Sequence, residues 1–377
     1  MSDAVEFGAR PGITDEVRYA RNGRLGRIML NRPKVINALT SQMVSSVLAQ
    51  LEDWAQDDTV ATVSIQGAGE RGLCSGGDVR ALRAVLIQGS AGAVQFWAQE
   101  YRMNAAIGSY PKPFVAFMDG IVMGGGVGIS AHGSLRLVTE RSRVAMPETA
   151  IGYFPDVGSL FLLSRAPGEI GTHLAMTGVA MGGADAVTAG LADALVDSHD
   201  IPGLVARLAA GELLDADVGS ASTVGSLEAD RDWIDSCYAG NDPVEILRAL
   251  RADPAPAAQR CADVLQTRSP LAVSVALEAR PRARRMKPRP GEPGPRAPRA
   301  EGLPPPLHGA GGPPQGSAGP YLAGQDLLRH RLDDAGPDRP DDVPARRRPH
   351  RPESRGRAHR PAHACDCRCA PEDRPAR

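Results

Sequence analysis

The sequence predicts an α/β fold in which strands and helices alternate first and helices dominate later. Short apolar runs bounded by Gly, Pro or Asn are typical of buried strands, and they alternate with helical patterns as far as Asp156. From Gly158 to about Leu265 the apolar spacing is helical. The chain then becomes rich in Pro and Arg. We therefore expect an α/β core, a helical part and a tail, at residues 1–200, 201–280 and 281–377.

The first elements carry clear local signals. Residues 17–30 are typical of a hairpin, because Asn22-Gly23 favours a tight turn and apolar residues alternate after it. Thr40 or Ser41 can cap a helix whose apolar residues recur at spacings of three and four. A second strand is expected at residues 62–65.

The segment from residue 112 to residue 158 carries the strongest functional signal. A short apolar strand leads to three glycines, Gly124 to Gly126, which open a helix. Free amides at a helix start attract developing negative charge, and Glu148 and Asp156 follow in a loop. Such a combination suggests acyl chemistry, with amides holding an oxyanion and a carboxylate attacking or activating water. The alternative is that the glycines only solve a packing problem.

A second glycine turn precedes another predicted helix. Gly76 and Gly77 follow Ser75, and Asp78 can cap the helix that starts at Val79. The simple interpretation is a strand-to-helix loop, and the functional one is a second amide donor at Gly77. Two donors from separate turns are what an oxyanion hole requires.

Composition limits the classes of function. Residues 1–280 hold 23 basic and 32 acidic side chains, a net charge of −9 that argues against nucleic acid as a partner. No run of eighteen apolar residues or secretory signal occurs, so neither a membrane partner nor secretion is expected. Cys74, Cys237 and Cys261 are scattered and typical of reduced thiols, which favours the cytoplasm. The core histidines lack ligand spacing, so no metal is expected.

Four motifs, taken together, resemble the crotonase (enoyl-CoA hydratase/isomerase) superfamily, and most closely its 3-hydroxyisobutyryl-CoA hydrolase branch. The resemblance runs from about Arg24 to about Ala279. The motifs occur in the order LNRPKVINALT (30–40), GAGERGLCSGGDVR (67–80), PKPFVAFMDGIVMGGGVG (111–128) and AMPETAIGYFPDVG (145–158).

The resemblance implies a crotonase-like spiral of ββα units, an acyl-CoA substrate and no cofactor, since CoA is part of the substrate. It puts the oxyanion hole on the amides of Gly77 and Gly125. Hydratases of the family have a catalytic glutamate at the position of Gly128, whereas this chain has glycine there. Asp156 supplies an acid where hydratases usually have glycine.

The resemblance therefore favours hydrolysis of a small 3-hydroxyacyl-CoA, as in valine catabolism. Glu148 would be the attacking carboxylate or the base that activates water, and Asp156 would orient the 3-hydroxyl group or relay a proton. Glu100 would contact the substrate together with Gly125, although the sequence alone favours a solvated helical acid at position 100. Double-bond isomerisation or hydration is the alternative reaction. A homo-oligomer is compatible with the family, but no residue pattern indicates one.

The segment 281–377 departs from the family pattern. It holds 20 of the 32 Pro residues and 19 of the 40 Arg residues, with no Ile, Phe or Trp. Such a composition predicts a disordered tail. A frameshift in a GC-rich gene would produce the same composition, and the chain would then be an inactive, truncated CoA-binding remnant. Cys365, Cys367 and Cys369 with His363 give only a weak metal-site pattern.

Overall fold

The computed structural model describes residues 6–89, 91–219 and 225–286. Most of the predicted tail, residues 287–377, therefore lies outside the described residues. The strands of the described part are β1 (Gly8–Arg10), β2 (Thr14–Asn22), β3 (Leu25–Leu30), β4 (Thr62–Gly67), β5 (Phe114–Met118), β6 (Ile121–Met123), β7 (Leu135–Thr139), β8 (Arg143–Ala145) and β9 (Ala194–Val196).

The α-helices of the described part are also numbered in chain order. They are α1 (Ser41–Gln56), α2 (Val79–Ile87), α3 (Gly92–Gly108), α4 (Gly125–Gly128), α5 (Ser159–Leu163), α6 (Ile170–Thr177), α7 (Gly183–Thr188), α8 (Ile201–Ala209), α9 (Ser226–Ala229), α10 (Arg231–Cys237), α11 (Pro243–Ala252), α12 (Pro256–Gln266) and α13 (Pro270–Arg285). Within the described residues only helices follow β9, so helices dominate the later part as predicted, but β9 itself lies inside the segment from Gly158 to Leu265 that the sequence predicted to be helical.

A seven-stranded sheet forms the centre of the α/β part. Its strand order is β1-β2-β3-β4-β5-β7-β9, with antiparallel pairs up to β3 and parallel pairs beyond it. The predicted hairpin is confirmed as β2 and β3, but Asn22 pairs with Leu25. The turn residues are therefore Gly23 and Arg24, one position later than expected, and Gly23 has a positive φ of 57°.

Both faces of the sheet are covered. In β5, Phe114, Ala116 and Met118 belong to the larger apolar core, while Val115 and Phe117 belong to a second cluster on the other face. Helix α8 contributes Leu204, Val205 and Leu208 to that second cluster. The continuous apolar run of β5 is thus explained by burial on both sides of a parallel sheet.

A small parallel sheet of β6 and β8 positions the candidate site. Met123 at the end of β6 is paired with Ala145 at the end of β8, so the residues that follow them lie side by side. The loop between β4 and α2, which carries Gly76 and Gly77, joins this sheet at Cys74, and Cys74 forms a parallel bridge to Val122. Three loops that are distant in sequence are therefore aligned at one edge. The sequence did not predict β6, because three residues are too few to show alternation.

Helix caps explain two of the predicted helices. Thr40 caps α1, its side chain accepting a hydrogen bond from the Met43 amide, and Asp78 caps α2 by accepting from the Ala81 amide. Helix α13 continues past residue 280 to Arg285, with Pro281 inside it and Ala283 buried. The regular structure therefore extends beyond the boundary drawn from composition. Within the described residues, no helix combines the length and apolar character needed to cross a bilayer.

Candidate active site

The two glycine turns meet in the structure. A β-carbon built on Gly125 would lie 3.3 Å from the Gly77 nitrogen, and one built on Gly76 would lie 3.5 Å from the Gly125 nitrogen. Gly126 permits this approach, since a β-carbon there would collide with the carbonyl oxygen of Cys74. The amides of Gly77 and Gly125 therefore border the same small volume.

Neither amide has an acceptor among the described residues. Leu39 pairs with the chain on both sides of Gly77, donating to the Gly76 carbonyl at 2.8 Å and accepting from the Asp78 amide at 2.9 Å. The Gly77 N–H belongs to the same planar trans peptide group as the Gly76 carbonyl and points in the opposite direction, so it faces away from Leu39. Gly125 is the first residue of α4, where an N–H has no partner within the helix. Both donors are available to a ligand.

Glu148 lies directly beside these glycines. It begins a short 3-10 helix, Glu148–Ile151, which follows β8 and ends at Gly152 in the left-handed conformation. A β-carbon on Gly124 would lie 2.8 Å from Glu148 Oε1, and Glu148 Oε2 has no hydrogen-bond partner within the described part of the chain. The side chain is 7% exposed. A buried carboxylate with a free oxygen is therefore next to the predicted donors.

Glu100 is buried as well, which makes the interpretation of a solvated helical acid wrong. Its side chain is 2% exposed, and among the described residues its Oε1 atom has no hydrogen-bond partner. A β-carbon on Gly125 would collide with this oxygen. The sequence could not separate the two interpretations, because burial depends on how α3 packs against α4.

Asp156 is held by groups that the sequence did not single out. Tyr101, the residue after Glu100, donates a hydrogen bond to Asp156 Oδ2 at 2.6 Å. The next residue, Val157, has a φ of 47°, an unusual conformation for a β-branched residue. Its carbonyl oxygen lies 2.6 Å from His132 Nε2, which donates to it in the matching tautomer. The strained backbone beside Asp156 is thus tied to a buried side chain.

Burial raises the pKa of all three acids, and the charges of neighbouring acids add to this effect at Glu100 and Glu148. Burial and the charges of Asp156 and Glu148 raise the pKa of Glu100 well above its usual value. Burial, followed by the charge of Asp156, does the same to the pKa of Glu148. Burial raises the pKa of Asp156 to about 6, against the opposing effect of the Tyr101 hydrogen bond. Such a cluster can hold and transfer protons near neutral pH.

Gly128 has two close neighbours. A β-carbon there would lie 2.7 Å from Val157 Cβ and 2.8 Å from Asn104 Nδ2. An acidic side chain at this position would require both neighbours to move. The sequence analysis did not identify Asn104. Its spacing of four residues from Glu100, which puts both on one face of α3, was the available signal.

The geometry brings together every residue predicted for the site: Gly77, Glu100, Gly125, Glu148 and Asp156. Two backbone amides without an acceptor in the described part of the chain, beside a buried carboxylate, can stabilise an acyl oxyanion and supply a nucleophile or base. Among the described residues, no group of three or more His, Cys, Asp or Glu side chains could hold a metal ion. The absence of a metal or cofactor requirement, and the roles of the individual residues, stay predictions.

The fold and this arrangement define the class of protein. Residues 25–289 match the family described as enoyl-CoA hydratase/isomerase, close to the span of the resemblance predicted from the motifs. The chain belongs to this family.

Within this family, the chain is similar to proteins named 3-hydroxyisobutyryl-CoA hydrolase. The chain is 40% identical over 277 residues to the mitochondrial 3-hydroxyisobutyryl-CoA hydrolase of Rattus norvegicus, covering 70% of this chain and 72% of the relative. It is 38% identical over 276 residues to the Homo sapiens enzyme of the same name, covering 70% and 72%.

Two solved structures are also similar. A structure described as a carnitinyl-CoA dehydratase from Mycobacterium thermoresistibile has 46% identity and a TM-score of 0.69, covering 73% of this chain and 81% of the other. An enoyl-CoA hydratase from Rhodobacter sphaeroides has 42% identity and a TM-score of 0.69, covering 71% and 79%. The predicted α/β fold of the crotonase type is confirmed.

Proposed function

We propose that this protein hydrolyses the thioester of a small 3-hydroxyacyl-CoA, with 3-hydroxyisobutyryl-CoA as the substrate and 3-hydroxyisobutyrate and CoA as the products. The observation that carries the proposal is the buried Glu148 carboxylate beside two backbone amides that have no acceptor among the described residues. The names of the relatives support an acyl-CoA hydrolase, and valine catabolism fits those names.

Gly77 and Gly125 would donate to the thioester oxygen as it gains negative charge. Losing one such donor typically costs about 3–4 kcal/mol of transition-state stabilisation. Glu100 and Asp156 would contact the substrate, and Asp156 would orient the 3-hydroxyl group or relay a proton. The protein would thus combine charge stabilisation by the backbone with proton transfer by the side chains.

Glu148 can act by either of two routes. As a nucleophile, its carboxylate would attack the thioester carbon, expel the CoA thiolate and form an anhydride that water cleaves. As a general base, it would take a proton from water while the resulting hydroxide attacks the same carbon. A single turnover in ¹⁸O water separates the routes, since label entering the Glu148 side chain requires the anhydride.

The Glu148→Gln variant tests the function. The amide has the same shape but is neither anionic nor basic, so we expect kcat for 3-hydroxyisobutyryl-CoA to fall by roughly 10³-fold or more. Binding of the thioester should change little. Hydrolysis at the parental rate would contradict the role of Glu148.

Hydration of an enoyl-CoA is the second candidate, which the names of the two solved structures favour. Gly128 opposes it, because the position has no carboxyl group and Asn104 and Val157 crowd it. An assay with crotonyl-CoA decides between the two reactions. Hydration faster than hydrolysis of 3-hydroxyisobutyryl-CoA would reject the proposal.

A further inference from the structure

In the described part of the chain, the side-chain amide of Asn104 is buried and unpaired. Its side chain is fully buried, and neither Nδ2 nor Oδ1 has a hydrogen-bond partner among the described residues. An unsatisfied buried polar group costs about 1–3 kcal/mol. Asn37 is equally buried, yet its side chain bonds to the Arg32 amide and to the carbonyls of Ala68 and Gly72. The fold therefore satisfies one buried amide and leaves the other open.

Asn104 lies about one helical turn further along α3 than Glu100, which is next to the predicted oxyanion hole. Glu100 and Asn104 are four residues apart on one face of α3, and Gly125 and Gly128 are three residues apart on the facing helix α4. Glu100 Oε1 faces Gly125, while Asn104 Nδ2 lies 2.8 Å from the β-carbon position of Gly128. The two glycines are separated by a rise of about 4.5 Å.

This separation suits a short acyl chain. A thioester oxygen on the amides of Gly77 and Gly125 would leave the second and third acyl carbons to extend along α4 toward Gly128. The amide of Asn104 offers both a donor and an acceptor, and a hydroxyl group offers the same pair. An unsubstituted acyl chain would leave both amide atoms unsatisfied.

We propose that Asn104 binds the 3-hydroxyl group of the acyl chain and makes the site selective for hydroxyacyl thioesters. This rests on the proposed hydrolase function and refines it. Since Asn104 binds the hydroxyl group, Asp156 retains the proton relay as its role, held in place by Tyr101. Discrimination follows because a site built for a hydroxyl group rejects the analogue that lacks it.

The Asn104→Leu variant tests the proposal. Leucine has a similar volume and no polar atom, so the free energy of unfolding should be unchanged or higher. The ratio of kcat/KM for 3-hydroxyisobutyryl-CoA to that for isobutyryl-CoA should fall roughly 10- to 100-fold. Gln95→Leu makes the same chemical change on the exposed side of α3 and should leave the ratio unaltered. Asn104→Ala, which also removes both amide atoms and adds no volume, replaces the leucine variant should that fail to fold, with the same expected fall in the ratio.

A binding measurement separates this proposal from the hydrolase function. In the Glu148→Gln background, affinities for the two thioesters should differ when Asn104 is present and converge when it is leucine. If the two affinities converge in the leucine variant but the wild-type chain hydrolyses neither thioester, the role of Asn104 is supported and the proposed hydrolase function is rejected. An unchanged affinity ratio in the Asn104→Leu background, or an equal loss for both thioesters, would overturn the role of Asn104.

Discussion

At the scale of single residues, the site is a cluster of buried acids that form no ion pair with a basic side chain among the described residues. None of the ion pairs among the described residues includes Glu100, Glu148 or Asp156. Their burial without a cation raises the pKa of each carboxyl group. Proteins retain such costly arrangements at functional sites, because a raised pKa allows proton transfer near neutral pH.

The pH profile of the reaction tests this electrostatic coupling. Glu148 must be ionised in either route, so kcat/KM should decline with acidification through a pKa well above 4.5. The charge of Asp156 is one cause of that raised pKa. Replacing Asp156 with Asn removes the charge, so the acid limb of the residual activity should move to lower pH.

The profile is measured as kcat/KM for 3-hydroxyisobutyryl-CoA between pH 5 and pH 9. Asp53→Asn removes an exposed negative charge far along the chain and serves as the control. An acid limb of Asp156→Asn at the wild-type pH, or above it, would show that the two carboxyl groups are not coupled.

At the scale of elements, the site depends on short strands rather than on long helices. The pairing of β6 with β8 brings the Gly124 amide within 3.1 Å of the Ala145 carbonyl oxygen, just before Glu148. The Cys74 amide bonds to the Ile121 carbonyl oxygen at 3.1 Å and draws the Gly77 loop to the same place. Three loops are thus positioned by backbone hydrogen bonds, which do not depend on side-chain flexibility.

The close approach of α4 to the Cys74 loop predicts the effect of a single methyl group. In Gly126→Ala the new β-carbon would collide with the Cys74 carbonyl oxygen and displace the Gly125 amide. We expect a loss of about 1–3 kcal/mol in the free energy of unfolding and a fall in kcat.

Gly203→Ala in α8 is the matched control, because a β-carbon there meets no atom within 4 Å. This change should stabilise the protein by up to about 1 kcal/mol and leave kcat unaltered. Both variants are compared by denaturant unfolding and by hydrolysis. A Gly126→Ala variant with parental stability and kcat would show that the loop separation is not critical.

At the scale of the whole molecule, buried histidines couple stability to pH. His173 lies in α6, 3.0 Å from the hydroxyl group of Tyr238 at the end of α10, and thereby links two helices of the C-terminal half. Burial lowers the pKa of His173 to about 4, and burial likewise lowers the pKa of His132 to about 4. Both side chains are neutral at pH 7.

The folded state therefore resists protonation at His173 while the unfolded chain accepts it. Between the unfolded pKa of 6.5 and the folded pKa of about 4, the unfolded state binds more protons, so this contribution to stability is lost as pH falls. The loss amounts to about 2–3 kcal/mol. The contribution of Glu100 to stability changes in the opposite direction and increases as pH falls, since its raised pKa makes the folded state the better proton acceptor.

Urea unfolding of His173→Gln between pH 7 and pH 4 measures the effect. The difference in free energy of unfolding between the wild type and this variant should shrink by the stated amount on acidification. His199→Gln serves as the control, since that side chain is 92% exposed. A difference that stays constant across the range would contradict a neutral buried His173.

Most of the local elements and all of the motifs could be predicted from the sequence. Thr40 and Asp78 mark their helices because a capping oxygen bonds to an amide only two or three residues away. Gly77, Gly125, Glu148 and Asp156 could be singled out because their motifs are contiguous. A contiguous motif needs no knowledge of distant contacts.

The burial and the hydrogen bonding of the side chains around those motifs could not be predicted, because they depend on contacts between distant segments. The burial of Glu100, the Tyr101 hydrogen bond to Asp156 and the open amide of Asn104 all depend on how α3 packs against α4 and the loop after Glu148. Strand β6 likewise exists through its partners, because three residues gain their backbone hydrogen bonds only from neighbouring segments. Burial and pairing are properties of contacts between distant segments, whereas periodicity and capping are properties of neighbours along the chain.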